Sequence, residues 1–293
     1  MTVTAQNIAD FLNTPLSGKN MVVTQPATVD APADHSVVFM KSVSVEVLKK
    51  LSNHDVLLLV PEEFSDEIKH PHIRCANTRL AFAKVVKQFF EDREEPGIDP
   101  SAALGEDVVC GENVSIGKHS VVESGAEIGE GTVIRDHVIL RKGSRIGKNC
   151  LIKSGVIIGE EGFGFDFEED DTPVRMPHTG GVIIGDGVEL GSNTVVCRGT
   201  IGNTILRDDV KVNDLVHIAH NCVVGAKTII AGGKLCGSVE LGERVWIAPG
   251  SIIKNKVKVR TDTTVGLGSV VVKDLEAGVV AYGNPAKVVR SKS

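Results

Sequence analysis

Residues 213–222, NDLVHIAHNC, place two histidines three positions apart in a run that is mostly valine, leucine, isoleucine and alanine. An imidazole titrates near pH 6.5, so His217 or His220 is a candidate base at working pH. Three uses compete for the pair. Both can be packed structural histidines. One can be a general base, with the polar Asn221 beside it. Together they can begin a metal site, but zinc needs a third ligand and usually a fourth. The neighbouring sequence supplies neither, so no metal is expected.

A repeat positions these residues. From Ile98 an aliphatic residue or cysteine recurs every sixth position, through Leu104, Cys110, Ile116 and Val122 to Ile158, without a slip. The register resumes at Ile184, Leu190 and Val196. It then runs from Leu206 through Ile218 and Ile230 to Cys236, slips by one, and continues from Leu241 to Val271. Period six fits neither the helical repeat nor strand alternation. It fits a left-handed parallel β-helix of hexapeptide repeats, a triangular coil of three short strands in about 18 residues per turn. That winding is an exception to the usual right-handed crossover. Each repeat residue is expected to point inward, and the glycine or small polar residue beside it to take the corner. On this coil Ile218 points in, His220 projects from a flat face, and His217 lies near the preceding corner. The two rings are therefore not expected to converge.

Two regions leave the repeat. Residues 160–181, EEGFGFDFEEDDTPVRMPHTGG, gather three of the nine phenylalanines and an acidic run. A long loop projecting from a regular solenoid is usually functional, although a subunit-packing flap would look alike. Residues 1–95 read as a small α/β domain, with residues 96–293 as the β-helix. Helices are expected in TAQNIADFLN, with Thr4 as N-cap, and in SVEVLKKL and NTRLAFAKVVKQFF; strands are expected in SVVFM, DVLLLV and HIRCA.

Composition narrows the function classes. A hydrophobic content of 42% supports a real core, while 4% aromatics with 31 glycines suits small β-branched layers and tight turns. A net charge of −6 with interspersed signs gives no footprint for nucleic acid. No apolar run approaches a membrane span, and the start has no signal-peptide pattern. The six cysteines are spread without a CxxC motif, which reads as reduced core thiols in a cytoplasmic protein.

The motifs VVFMKS, CANTRLAFAKV, GIDPSAALGEDV, GEEGFGF, MPHTGGVIIGDGVELGSNT and above all VNDLVHIAHNCVVG resemble the UDP-3-O-acylglucosamine N-acyltransferases of lipid A synthesis. The resemblance covers nearly the whole chain. It implies a homotrimeric enzyme that passes an acyl group from a thioester to the amine of a UDP-linked sugar, in clefts between neighbouring coils. His220 then matches the general base. His217 and Asn221 become positioning residues, and Gly162, Phe163, Phe165 and His178 a substrate loop. Phe39 becomes a uracil-stacking residue of a nucleotide-binding domain. The chemistry agrees: an amine attacking a thioester must shed a proton, and its tetrahedral oxyanion needs a donor such as a backbone N–H.

Three departures bear on the donor. The family's second active-site histidine falls at Lys256, which can still donate to an oxyanion or phosphate. Val45 stands where a second uracil-gripping aromatic, a tyrosine, is expected. The ending VVAYGNPAKVVRSKS resembles acetyl-CoA-dependent hexapeptide sugar acetyltransferases rather than enzymes with carrier-protein-binding C-terminal helices. By that resemblance Ala248 and Gly266 admit the pantetheine of coenzyme A, and Lys287 and Arg290 meet its phosphates. The expectation is therefore transfer of acetyl from acetyl-CoA, with the acyl-carrier-protein reaction of lipid A synthesis as the alternative. O-acylation by the same base and a non-catalytic trimeric scaffold remain open. No permanently bound cofactor is expected.

Overall fold

Eighteen residues separate each inward side chain from the one stacked on it. Val122 pairs with Leu140, and Leu140 with Ile158. The computed structural model describes residues 2–42, 44–64, 68–92 and 94–292, with the side chain of Val45 outside the described set. Within the unit Glu94–Ser293 three sheets of nine, eight and eleven strands form the faces of a prism. Their strands are parallel except for the closing antiparallel pair Val279–Gly283 and Ala286–Ser291. This is the parallel β-helix that the six-residue period predicts, left-handed as hexapeptide repeats are.

The core explains the sequence pattern and corrects it in three places. Each hexad buries a second residue two positions before the aliphatic one, such as Val114, Ser120, Ala126, Thr132 and Val138. The Ser120 and Thr132 hydroxyls there donate to carbonyls of the adjacent coil, at 2.7 and 2.8 Å. The first repeat residues are not core. Ile98 is 49% and Leu104 38% exposed, because the first coil stacks on one coil of the prism and not two. Cys236 is not the inward residue of its hexad either; Leu235 is, paired with Ile218. That hexad is one residue short, and Gly232 and Gly233 absorb the deletion at φ values of +151° and +121°.

The corner residue also differs from expectation. The glycine after each inward residue is not the left-handed one. It is small because the next coil lies against it: a methyl on Gly117 would meet Asp136 Oδ1 at 2.5 Å. The left-handed position falls two residues later, at Asp107, Asn113, His119, Gly125, Gly131 and His137 in successive hexads. Asn, Asp, His and Gly are the residue types that tolerate it best.

The unit Met1–Arg93 carries a five-stranded sheet in the order β1-β5-β4-β3-β2: β1 (Leu16–Ser17), β2 (Gln25–Pro26), β3 (Ser36–Phe39), β4 (Val56–Pro61) and β5 (His72–Cys75). β2 to β5 are parallel, and β1 runs antiparallel to β5. The helices are α1 (Ala5–Leu12), α2 (Val45–Leu51) and α3 (Thr78–Phe89). Thr4 caps α1 in a capping box with Asn7, and the Asn77 side chain caps α3.

Candidate active site

The strand His217–Ile218 belongs to the nine-stranded face, and the chain turns at His220 and Asn221 towards the eight-stranded face. The two histidines thus exchange the places expected for them: His217 lies on the flat face and His220 at the corner. The inward cysteine of this coil, Cys222, follows only two residues after His220, so the turn must fall at residues 220–221. Asn221 takes the left-handed conformation there, at φ 61°.

The corner fixes the tautomer of His220. The side-chain oxygen of Asn221 accepts from the backbone N–H of Thr200 at 3.2 Å and from the Thr200 hydroxyl. It is therefore an acceptor towards the His220 ring as well, so Nδ1 donates to it at 2.9 Å and carries the proton. Nε2 keeps its lone pair and is the basic nitrogen.

Two glycines make room for this ring. A methyl on Gly237, one coil on, would lie 2.6 Å from Cε1 and 2.7 Å from Nε2 of His220. A methyl on Gly162, at the root of the projecting loop, would lie 2.9 Å from Cδ2 of His220 and 2.8 Å from Nε2 of His178. Among the described residues the Gly237 N–H makes no hydrogen bond. The residue packed against the basic nitrogen thus carries a backbone donor without a partner.

The loop brings a third histidine. It leaves the strand Ile157–Glu160, forms a hairpin of Phe165–Phe167 with Pro173–Arg175, and rejoins at Val182–Ile184. Its root is held by Arg141, bridged to Glu123 and Glu160 at 2.6 Å each, and by Arg198, which donates to the Gly159 carbonyl at 2.6 Å. These contacts hold the Glu123 and Glu160 carboxyls below the usual range, with the Arg141 hydrogen bond as the largest cause. His178 is 3% exposed, and its ring meets the His220 ring edge-on at a centroid distance of 5.1 Å. Phe163 is 86% exposed and pairs with Phe165 at 4.9 Å, while the Arg175 guanidinium lies over the Phe165 ring.

His217 is half-buried on the flat face between Val195 and Lys234. Burial first, then the charges of Lys234 and His220, push its pKa below the ordinary histidine value. A depressed histidine contributes stability that is present above its unfolded pKa and lost as pH falls through the folded one. The melting temperature is therefore expected to fall between about pH 7.5 and about pH 5.5. In His217→Asn the fall should be shallower, and an equal fall in both proteins would count against this assignment.

The other expected site residues scatter. Lys256 is exposed on the same edge as His220 and two coils on, in the left-handed corner position. Ala248 and Gly266 lie on the opposite edge of the nine-stranded face, not beside His220 in the same chain. A methyl on Gly266 would meet the Tyr282 side chain at 2.8 Å, so packing of the terminal strands already accounts for that glycine. Lys287 and Arg290 lie in the exposed strand Ala286–Ser291. Phe39 is partly buried and packs on Phe82 at 4.9 Å.

Two features escaped the sequence. One is a second, short excursion at residues 198–203, whose Thr200 locks Asn221; it reads only as a register offset. The other is a crevice of about 510 Å³ at the carboxyl ends of β3, β4 and β5, lined by Lys41, Glu62, Asn77, Thr78 and Arg79. Open parallel sheets bind ligands at such ends.

Among the described residues no group of three or more His, Cys, Asp or Glu side chains is placed to hold a metal. No described helix is long and apolar enough to cross a membrane. The cysteines are free, and burial pushes the Cys222 thiol up to about 12, so it offers no thiolate near His220 at neutral pH.

Residues 107–142 match the family described as bacterial transferase hexapeptide (six repeats). UDP-3-O-acylglucosamine N-acyltransferase of Cupriavidus pinatubonensis is 35% identical over 68% of this chain and 62% of its own length. The chain thus spans about three fifths of that relative. UDP-3-O-acylglucosamine N-acyltransferase 1 of Legionella pneumophila is 32% identical over 78% of this chain and 70% of its own. Among solved structures, UDP-N-acetylglucosamine acyltransferase from Campylobacter jejuni superposes with a TM-score of 0.59 at 24% identity. The superposition covers 67% of this chain and 75% of that one, a likeness of fold.

Proposed function

We propose, from the premise that the chain belongs to the UDP-3-O-acylglucosamine N-acyltransferase family, that it transfers an acyl group from a thioester to the amine of a UDP-linked 3-O-acylglucosamine. The observation that carries this reading is His220, whose ring Asn221 fixes with Nε2 basic, packed against Gly237, whose N–H is unpaired among the described residues. The amine attacks the thioester carbonyl and loses its proton to His220 Nε2. The Gly237 N–H donates to the oxygen that becomes negative. The C–S bond then breaks, and the thiolate takes the proton back from His220. A positioned base contributes about 10²- to 10⁴-fold to such a step, and an oxyanion donor about 10²- to 10³-fold.

The family relationship favours the longer acyl group of the lipid A reaction over acetyl as the cargo, which reverses the preference drawn from the C-terminus. The surface supports the reversal. Gly266 is filled by Tyr282, and the loop carries exposed Phe163, Phe167 and Met176, which an acetyl group has no need of. The outward residues of the nine-stranded face are largely apolar: Val121, Ile139, Ile157, Val195, Ile252 and Val270. Those of the eight-stranded face include Glu127, Arg145, Glu240 and Lys258. We assign the apolar face to a neighbouring copy in a homotrimer, with the acyl chain lying along the seam. The crevice with Lys41 and Arg79 is assigned to the nucleotide.

The test is product mass. The purified protein is incubated with UDP-3-O-acylglucosamine and, in separate reactions, acyl-carrier-protein thioesters of graded length or acetyl-CoA. An N-acylated product with a long acyl-carrier-protein donor is expected. An N-acetylated product with acetyl-CoA alone would restore the short-donor reading. No product with any donor would remove the activity.

A further inference from the structure

His178 contributes an atom that the mechanism above leaves unused. Its Nδ1 lies 2.9 Å from the Met176 carbonyl. A carbonyl only accepts, so Nδ1 carries the proton and Nε2 holds a lone pair. That Nε2 is buried and has no hydrogen-bond partner among the described residues. An unpaired buried acceptor has lost its water without gaining a partner, so its retention calls for a reason.

Its surroundings supply one. Gly162 and Gly164 press the ring into place: methyls there would lie 2.8 Å from Nε2 and 3.1 Å from Cε1. The same point at Gly162 is 2.9 Å from Cδ2 of His220, so His178 Nε2 and the flank of the catalytic ring border the same glycine, with the ring centroids 5.1 Å apart. The His220 ring is hydrogen-bonded to the uncharged Asn221 oxygen, and the half-buried His217, paired with Lys234 on the face, feels its charge. No carboxylate is hydrogen-bonded to His220 among the described residues, and Glu160 is bound to Arg141. The positive charge that His220 acquires with the amine's proton therefore meets no hydrogen-bonded anion among the described residues.

We infer that His178 is a positioning residue for His220: its neutral ring braces the base edge-on, and its Nε2 lone pair faces the imidazolium formed during transfer. The inference rests on the acyl-transfer reading and adds a role for the loop that does not involve touching substrate. No proton moves to His178. The proton passes from the amine to His220 Nε2 and on to the departing thiolate.

The test compares His178→Phe, which keeps a ring of similar size without the acceptor, with His178→Gln, which can return an acceptor oxygen. His178→Phe is expected to lower kcat by about 10-fold or more, with KM for the nucleotide sugar nearly unchanged, and His178→Gln to recover most of the rate. Nitrogen-15 spectra of histidine-labelled protein are expected to show His178 with Nε2 unprotonated, a readout that needs no activity. Protonated Nε2, full activity in His178→Phe, equal losses in both variants, or a loss confined to KM would each overturn the role. A variant that fails to fold leaves the nitrogen-15 measurement on the unaltered protein to decide. An unaltered protein without turnover overturns the acyl-transfer reading and this role with it. Turnover with an indifferent His178→Phe overturns only the role of His178.

Discussion

Replacing His220 by alanine lowers acyl transfer by about 10²- to 10⁴-fold while the protein keeps its size in solution and its far-ultraviolet circular dichroism. Both halves follow from the corner. His220 projects from a turn whose inward residues are Ile218 and Cys222, so removing its ring leaves the stacked core intact. The coil contacts at this turn do not use the His220 ring: the His220 carbonyl still accepts from the Ser238 N–H and the Asn221 N–H still donates to the Thr204 hydroxyl. What is lost is the only imidazole whose basic nitrogen lies beside the Gly237 N–H among the described residues. Steady-state rates with a saturating amine acceptor are the measurement. A variant within about threefold of the unaltered protein would mean that the base is elsewhere, and His217 on the adjoining face would be the next residue to remove.

The legible and illegible parts of the site differ for a physical reason. A six-residue period is a local property of the chain, so Ile116 to Ile158 give the prism directly. The same regularity could not place His220, because the aliphatic period alone does not say which outward position is strand and which is turn. The left-handed residues do carry that signal: Asp107, Asn113, His119 and Asn149 mark corners, and Asn221 falls in phase with them. Reading that phase would have put His220 at the corner and His217 on the face. The role of His178 was less accessible. Its approach to His220 depends on a loop that returns after two short strands, and on the absence of a side chain at Gly162. Leu235 was missed because a hexad shortened by one residue still offers Cys236 in the old register.

Gly237→Ala is expected to approach the effect of removing the base without altering it. The backbone at Gly237 is not left-handed, so alanine can occupy it, and the coil bond from the Lys256 N–H to the Gly237 carbonyl is kept. The added methyl, however, would sit 2.7 Å from His220 Nε2, closer than real contacts allow. The neighbour on the other side is Gly162, with His178 behind it, so the ring has little room to retreat. A displacement of about 1 Å from the reacting geometry can cost about 100-fold in rate. The expected result is therefore a fall in kcat of that order, with a melting temperature close to that of the unaltered protein. The double variant His220→Ala with Gly237→Ala separates the causes, because substitutions acting through one group are not additive. If the methyl acts by moving His220, the double variant is no slower than His220→Ala alone. If it acts by excluding the amine or bending the coil, the two losses multiply, and the assignment of Gly237 as a spacer for the base fails.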